Sequence, residues 1–250
     1  MPKKTVINKI PHITKKTKIY ERKSSLVPQK NPFPSSWRIF VSGILSLGVC
    51  LLLFLYIDRP AALAMHALDP AITGFFIHVT RLGKSTAYLV TFGVLFLLLY
   101  PASKIKRWQE YHRRLRKYAL CFLFLFISIA ASGLLTDFLK VIFARYRPVM
   151  LYEAGKYGFT FFKFSPASML SFPSGHANTI FAFMTALYLI VPRYRFVYFT
   201  IAVLVAASRV IIGAHFPSDV IAGAYLGVVT TLYLKGLFLS WGMDIFNKKA

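Results

Sequence analysis

The sequence predicts an all-α, polytopic membrane protein with six transmembrane helices. Apolar residues make up 56% of the 250 residues, charged residues only 16%, and the mean hydropathy is +0.56. Soluble domains are less apolar, and about a quarter of their residues are charged. The net charge of +23 comes from basic segments that alternate with long apolar runs. This arrangement favours membrane topology over a nucleic-acid-binding face, so we expect membrane lipids and no nucleic acid as partners.

The first 36 residues are basic, rich in proline and without an apolar run. We therefore expect no cleavable signal peptide before the first span. The composition predicts a disordered cytoplasmic tail over residues 1–36, which sets topology and attracts anionic lipid. A role in docking a partner stays open. A second, short cytoplasmic tail is expected over 243–250.

The segment 37–242 between the tails divides into apolar runs, each near the roughly 20 residues that cross a bilayer. The predicted spans are 39–57, 85–102, 118–136, 177–191, 196–214 and 220–242. Arg209 and Lys235 lie near span ends, where long basic side chains reach the interface. The stretch 59–84 is predicted to form an external surface helix after Asp69-Pro70. Both cysteines, Cys50 and Cys121, fall in spans, which argues against a structural disulfide and against a metal site.

The distribution of Lys and Arg orients the spans. Ten of these residues precede the first span, seven lie in 103–117, two in the turn after the fourth span and two at the C-terminus. With six spans all of these positions fall on one side, which the positive-inside rule makes cytoplasmic. Both termini are then cytoplasmic.

Ionisable residues cluster at the opposite helix ends, in three segments: 140–148, 173–176 and 208–219. The first reads Lys-x6-Arg-Pro, the second Pro-Ser-Gly-His, and the third Ser-Arg-x5-His-x3-Asp. Ionisable groups at the membrane surface of a bundle are costly unless they are used. The sequence therefore predicts a site built from Lys140, Arg147, Ser174, Gly175, His176, Arg209, His215 and Asp219.

These residue types suit phosphoryl transfer. The three cations Lys140, Arg147 and Arg209 match the charge of a phosphate monoester. Ser174 is placed to cap a helix whose N-terminus binds anions, and Gly175 lets the backbone approach closely. Pro217 predicts a helix start that puts Asp219 in the first turn, where its carboxylate can orient His215. His176 is then free to protonate the leaving oxygen, and we expect His215 at an exposed helix end.

The three motifs together resemble the signature of the type-2 phosphatidic acid phosphatase and haloperoxidase superfamily, in its membrane lipid phosphatase branch. Every signature position between 140 and 219 is filled. The resemblance implies that His215 attacks phosphorus to form a phosphohistidine, that Asp219 orients it, and that His176 acts as general acid and then as base. Lys140, Arg147, Ser174, Gly175 and Arg209 would bind the phosphoryl oxygens, with no metal or other cofactor.

The resemblance implies an integral membrane lipid phosphatase similar to bacterial lipid A 1-phosphatases or phosphatidylglycerophosphatases. It would lie in a bacterial inner membrane with the site facing the periplasm. Candidate substrates are lipid A phosphate, phosphatidylglycerol phosphate, undecaprenyl pyrophosphate and phosphatidic acid. A lipid phosphotransferase using the same phosphohistidine is the alternative, and a transporter with charges lining an ion path is a weaker one. The oligomeric state is open.

Four further features need interpretation. Arg145, between two motif positions, is expected to be an interface charge rather than a ligand. The aromatic-rich segment 149–172 is either an interfacial belt or a lid over the site. Gly83-Lys84-Ser85 imitates the end of a phosphate-binding P-loop, but His78 stands where its first glycine is needed. Gly223 and Gly227 predict close helix packing within the bundle, with a dimer face as the alternative.

Overall fold

The computed structural model describes residues 32–162 and 169–246, and within these ranges the regular structure is helical. The tail predicted over 1–36 therefore lies almost entirely outside the described residues, as do 247–250 of the C-terminal tail. The α-helices of the described ranges are α1 (Ser36–Leu52), α2 (Asp58–His66), α3 (Pro70–Thr80), α4 (Ser85–Ala102), α5 (His112–Phe143), α6 (Pro148–Ala154), α7 (Gly175–Ile190), α8 (Arg195–Ile211) and α9 (Pro217–Ser240).

Local sequence explains where these helices begin. Asp69 caps α3, with its side chain accepting from the N–H of Ala71 at 2.7 Å, and Pro70 follows as the first helical residue. Ser174 caps α7, and Pro217 opens α9. The helix predicted after Asp69-Pro70 is present as α3, which Asp69 and Pro70 start. The earlier part of the stretch 59–84 is also helical, because α2 prolongs α1 up to a break at Ala67–Asp69.

Five helical stretches of the described residues are long and apolar enough to cross a membrane: Ser36–His66, Pro70–Ala102, Lys106–Phe143, Pro192–Ile211 and Pro217–Ser240. The protein is thus a multi-pass membrane protein. The remaining predicted span corresponds to α7, whose 16 residues rise only about 24 Å against a hydrocarbon core of about 30 Å. The count of six spans therefore depends on this short helix.

Helix α7 is the centre of the bundle. It packs against α5, α8 and α9, and its Ala177, Ile180 and Ala182 are fully buried. The contact with α9 is very close. A Cβ added to Gly223 would lie 2.3 Å from the carbonyl oxygen of Ser174, and one on Gly227 would lie 2.5 Å from that of Asn178. The two glycines therefore serve packing within the bundle, as the sequence predicted.

Candidate active site

The three motif segments meet where α5 ends and α7 and α9 begin. The backbone N–H of Ser174 donates to the carbonyl oxygen of Asp219 at 2.9 Å, which joins the start of α7 to the start of α9. A Cβ on Gly175 would lie 3.2 Å from Nζ of Lys140, so this ammonium rests on the N-terminus of α7. The close approach depends on glycine at this position.

The remaining predicted residues join the same cluster. His176 lies within electrostatic range of Arg209, His215 and Lys140. Arg147 lies within range of Arg209 and His215. All eight residues predicted for the site are therefore brought together, although they come from segments that span 140 to 219.

His215 faces Asp219 one helical turn away. Its Nδ1 lies 3.6 Å from Oδ2 of Asp219, slightly beyond hydrogen-bond distance. Ser171 joins the two groups: its hydroxyl donates to Asp219 Oδ2 at 2.6 Å, and its Oγ lies 3.4 Å from His215 Nδ1. The Nδ1 edge of the ring is thus held by the carboxylate and the serine, which leaves Nε2 as the nitrogen free to react. Ser171 lies two residues before the second motif, and the motif spacing gave no signal for it.

His215 is buried, with 3% of its surface exposed, so the expectation of an exposed helix end is wrong. The reason is that the backbone of 212–216 folds back on α8, with the N–H of His215 donating to the carbonyl of Arg209. Burial lowers the pKa of His215 from 6.5 to about 4; Asp219 opposes this shift, and Arg147 and Arg209 add to it. The imidazole is therefore neutral at pH 7, with a lone pair available.

Asp219 is held by a second, buried ion pair. Arg145 Nη1 donates to its Oδ1 at 2.5 Å, and Arg145 Nη2 donates to Asp58 Oδ2 at 2.7 Å. Both oxygens of Asp219 are occupied, because the N–H of Phe216 also donates to Oδ2 at 2.9 Å. Asp58 in turn accepts from the backbone N–H of Ser218 at 3.0 Å and from its hydroxyl. These bonds fix the first turn of α9 and with it the carboxylate that faces His215.

Arg145 is fully buried, so its prediction as an interface charge is wrong. Its guanidinium carbon lies 4.4 Å from the ring centre of Phe216 and 5.1 Å from those of Phe54 and Phe159. Aromatic faces and two carboxylates thus compensate the buried charge. Burial alone would lower the pKa of Arg145, but Asp219 and Asp58 together raise it above its ordinary value.

Asp58 enters this network from the first helix, directly after a π-helical segment, Leu53–Ile57. A π-bulge inserts a residue and rotates the side chains beyond it around the helix axis, and such bulges occur often at functional sites. The sequence interpretation ended the first span at residue 57 and gave Asp58 no role. The available signal was its position, since it is one of only eight acidic residues and directly follows a long apolar run.

The three predicted phosphate-binding cations have different partners. Lys140 Nζ forms an ion pair with Asp137 Oδ1 at 2.7 Å, and this carboxylate is 70% exposed. Arg209 Nη1 donates to the hydroxyl of Thr80 at 2.8 Å. Within the described ranges the buried Nε of Arg147 and of Arg209 has no hydrogen-bond partner. Burial lowers the pKa of Arg147. Two guanidinium groups with buried Nε atoms, within electrostatic range of each other, favour an anion between them.

The N-terminus of α7 lies beside Lys140. Ser174 caps it, with its Oγ accepting from the N–H of Ala177 at 3.5 Å. The first-turn N–H groups of a helix and the positive end of its dipole suit an anion. His176 is the second residue of this helix and packs on Gly83, since a Cβ there would lie 2.9 Å from its Cβ and Cδ2. The residues described hold no group of three or more His, Cys, Asp or Glu side chains placed to share a metal. Metal independence stays a prediction.

The aromatic segment 149–172 is only partly described, because 163–168 lie outside the described residues. In the described part Tyr157 and Phe159 line the pocket of Arg145. These two rings are therefore part of the core beneath the site. Phe161 and Phe162 are exposed, by 49% and 76%, and either an interfacial or a covering role is consistent with that.

Comparison with known proteins supports the assignment that the motifs suggested. Residues 121–241 match the family known as the PAP2 superfamily. The match covers just under half of the chain, and over these residues the chain is similar to the PAP2 superfamily. All eight predicted site residues fall inside the matched segment, whereas Asp58, Thr80 and Gly83 fall outside it.

Two curated relatives are similar over slightly less than half of the chain. A lipid A 1-phosphatase of Rhizobium etli is 43% identical over 104 residues, 42% of this chain and 44% of the relative. A lipid A 1-phosphatase of Rhizobium johnstonii is 38% identical over 120 residues, 48% of this chain and 49% of the relative. The chain thus spans about half the length of the curated relatives it matches.

A solved structure extends the fold comparison beyond the matched segment. The transmembrane PAP2 type phosphatidylglycerolphosphate phosphatase of Bacillus subtilis superposes with a TM-score of 0.53. The alignment covers 87% of this chain and 99% of that one at 18% identity. At this identity the likeness concerns the fold alone, and the superposed part of the chain extends beyond residues 121–241.

Proposed function

We propose that the protein is an integral membrane lipid phosphatase that hydrolyses a phosphomonoester or pyrophosphate of a lipid through a phosphohistidine on His215. The observation that carries this proposal is the buried His215, neutral at pH 7 and held through Nδ1 by Asp219 and Ser171, beside two arginines with unpaired Nε atoms. A neutral imidazole with one nitrogen fixed is a nucleophile ready to react.

In the first step Nε2 of His215 attacks phosphorus, so that an N–P bond forms and the P–O bond to the lipid alcohol breaks. The imidazole becomes positively charged, and Asp219 stabilises that charge. His176, which carries a proton once the negatively charged phosphate occupies the site, gives it to the leaving oxygen. Arg147, Arg209 and Lys140 bind the equatorial oxygens, with Lys140 exchanging Asp137 for the phosphate.

In the second step a water molecule attacks the phosphohistidine. His176, now neutral, takes the proton of this water, the N–P bond breaks, and inorganic phosphate leaves with His215 neutral again. Another lipid hydroxyl in place of water would give phosphate transfer, the alternative from the sequence. An ion path is disfavoured, because the charges gather at helix ends around one site instead of following a helix through the bundle.

The names of the two relatives make a lipid A phosphate the first substrate to test, ahead of phosphatidylglycerol phosphate, undecaprenyl pyrophosphate and phosphatidic acid. We further propose a bacterial inner membrane location with the site facing the periplasm and both termini in the cytoplasm. The distribution of Lys and Arg supports this orientation.

The test measures free phosphate released from labelled lipid phosphates by the purified protein, with and without EDTA. We expect release to be insensitive to EDTA and inhibited by vanadate. His215→Gln, which keeps most of the buried volume, is expected to lower kcat by roughly 10³-fold or more. His78→Gln, at an exposed histidine, is the matched control and should behave as wild type.

An acid-labile, base-stable phosphoprotein trapped from wild type and missing from His215→Gln would support the intermediate. Label that moves to a second lipid instead of appearing as free phosphate would indicate the phosphotransferase. Turnover in His215→Gln equal to wild type would exclude His215 as nucleophile.

A further inference from the structure

A cavity of about 240 Å³ opens beside the candidate active site, between the start of α4, the end of α5 and the start of α7. We name it the α4–α5–α7 cavity. Beside Lys140 and His176, its polar lining consists of Lys84, Ser85, Thr86, Thr136, Asp137 and Thr179. Glycines 83, 133 and 175 complete the wall. Only His176, Lys140 and Gly175 of this wall belong to the motif residues.

The lining is mainly polar. Its side chains are those of Gly, Ser, Thr, Lys, Asp and His, and four of them carry hydroxyl groups. Acyl or prenyl chains would find only a minor apolar surface here. Hydroxyls of Ser and Thr both donate and accept, Lys donates and Asp accepts. Such a set suits a ligand that itself carries several hydroxyl groups.

One of these hydroxyls has no partner of its own. Thr136 is fully buried and contributes to the cavity wall, and among the residues described its Oγ1 makes no hydrogen bond. Hydroxyls in helices usually bond to the carbonyl one turn earlier or to another polar group, and leaving one unpaired in a core is costly. A hydroxyl of a ligand in the cavity would satisfy it.

The cavity lies on the general-acid side of the site. His176 lines it and His215 does not. Under the proposed mechanism His176 protonates the oxygen of the leaving alcohol, so the group that departs with that oxygen lies next to His176. The volume is below the range of about 300–1,000 Å³ that is typical of sites for whole small ligands. It is therefore suited to one ring or polyol, with the lipid chains remaining in the bilayer.

We infer that the α4–α5–α7 cavity binds a hydroxyl-bearing headgroup, a sugar or another polyol, through which the scissile phosphate is joined to the lipid. Thr136 and Thr179 bond to its hydroxyls from the helix walls, and Lys84 and Asp137 bond to it from the rim. This inference rests on the proposed function. It places substrate recognition in residues outside the three motifs, above all Lys84, whose neighbour Gly83 packs on His176.

The experiment compares two lipids with identical acyl chains: one whose phosphate is carried by a hexose, and phosphatidic acid, whose phosphate is carried by diacylglycerol. The variants are Thr136→Val, which removes the hydroxyl and keeps the shape, and Lys84→Met. We expect each to lower the ratio of kcat/KM for the hexose phosphate lipid to kcat/KM for phosphatidic acid. The expected factor is about 3- to 10-fold for each variant, which is the value of one hydrogen bond.

Matched controls separate recognition from folding. Thr185→Val removes another buried hydroxyl without a partner, on α7 but away from the cavity, and Lys106→Met changes an exposed lysine outside its lining. Both should leave the ratio unchanged. If Thr136→Val and Lys84→Met reduce both substrates equally, or neither, the inference is wrong while the phosphatase proposal stands. If wild type releases phosphate from neither of these lipids, the inference fails; if it releases none from the other candidate lipid phosphates either, the proposed function fails with it.

Discussion

At the level of single residues, the site depends on keeping His215 neutral while a carboxylate stays charged one turn away. Burial favours the neutral imidazole, and Arg145 with the backbone N–H of Phe216 stabilises the charged form of Asp219. The same carboxylate can therefore orient the neutral ring and later stabilise its charged form. Arg145 stabilises the charged form of Asp219 at a distance from His215, so it is a positioning residue.

The lowered pKa of His215 gives a prediction about stability and pH. The unfolded chain takes up this proton near pH 6.5, but the folded chain only near pH 4. The unfolded state thus binds more protons between these values, and stability is lost as the pH falls through this window. The contribution is at most about 3 kcal/mol. Thermal unfolding in detergent at pH 7.5 and pH 4.5 should show a larger loss for wild type than for His215→Gln. An equal loss in both would mean that His215 titrates normally.

Asp58 gives a second prediction about a single side chain. Asp58→Asn leaves the buried Arg145 with one charged partner, and breaking a buried ion pair from one side costs about 3 kcal/mol or more. We expect a lower free energy of unfolding. In protein that is still folded, we expect a lower kcat at nearly unchanged KM, because the substitution changes the orientation of Asp219.

Asp69→Asn is the control for Asp58→Asn, since Asp69 is an exposed helix cap and Asn caps equally well. A loss of stability without a change in kcat would show that Asp58 stabilises the fold but does not position Asp219 for catalysis.

Among the helices, the approach of α9 to α7 shapes the site. The N-terminus of α7 lies against Gly223, and the backbone contact continues one turn further at Gly227. Since Ser174 both caps α7 and bonds to Asp219, this helix contact sets the distance between the N-terminus of α7 and the carboxylate beside His215, the proposed nucleophile.

Gly223→Ala should therefore affect both stability and activity. Its Cβ would lie 2.3 Å from the carbonyl oxygen of Ser174, a backbone atom, so the two helices must separate. We expect a loss of about 1–3 kcal/mol in the free energy of unfolding and a lower kcat. Gly48→Ala, in α1, has no atom within 4 Å of its Cβ. It should be neutral or stabilising by up to about 1 kcal/mol. Equal behaviour of the two variants would contradict a close contact between α7 and α9.

For the molecule in its membrane, orientation decides which lipids reach the site. The basic residues that orient the chain gather in the N-terminal segment, between α4 and α5, after α7 and at the C-terminus. The site lies where α5 and α8 end and α7 and α9 begin. With alternating spans, these two sets fall on opposite faces.

Cysteine labelling in intact cells tests this orientation. Lys156 and Lys106 are both exposed. Lys156→Cys, on the site side, should react with an impermeant thiol reagent, and Lys106→Cys should react only after the membrane is opened. Of the native thiols, Cys50 is buried and Cys121 partly so, and both are replaced beforehand. The reverse pattern would put the site in the cytoplasm and remove outer-leaflet lipids as substrates.

Local sequence was sufficient to predict the main helices and to single out the eight motif residues that the structure brings together. The limits 85–102 predicted for the second span are those of α4, and Pro217 starts α9 with Asp219 in its first turn, as predicted. These features are local, because apolar length, capping residues and proline act within a few residues of the chain. The motifs were also visible because their members lie at fixed short spacings.

The surroundings of those residues depend instead on packing between distant segments. Asp58 and Arg145 are 87 residues apart in sequence, and no spacing rule joins them. They meet because α1 and its π-segment pack on the start of α9, where a buried guanidinium needs two carboxylates. The burial of His215, the bridging Ser171 and the hydroxyl-lined cavity arise in the same way. Each depends on which helices face each other, and a one-dimensional pattern of apolar and polar residues does not contain that information.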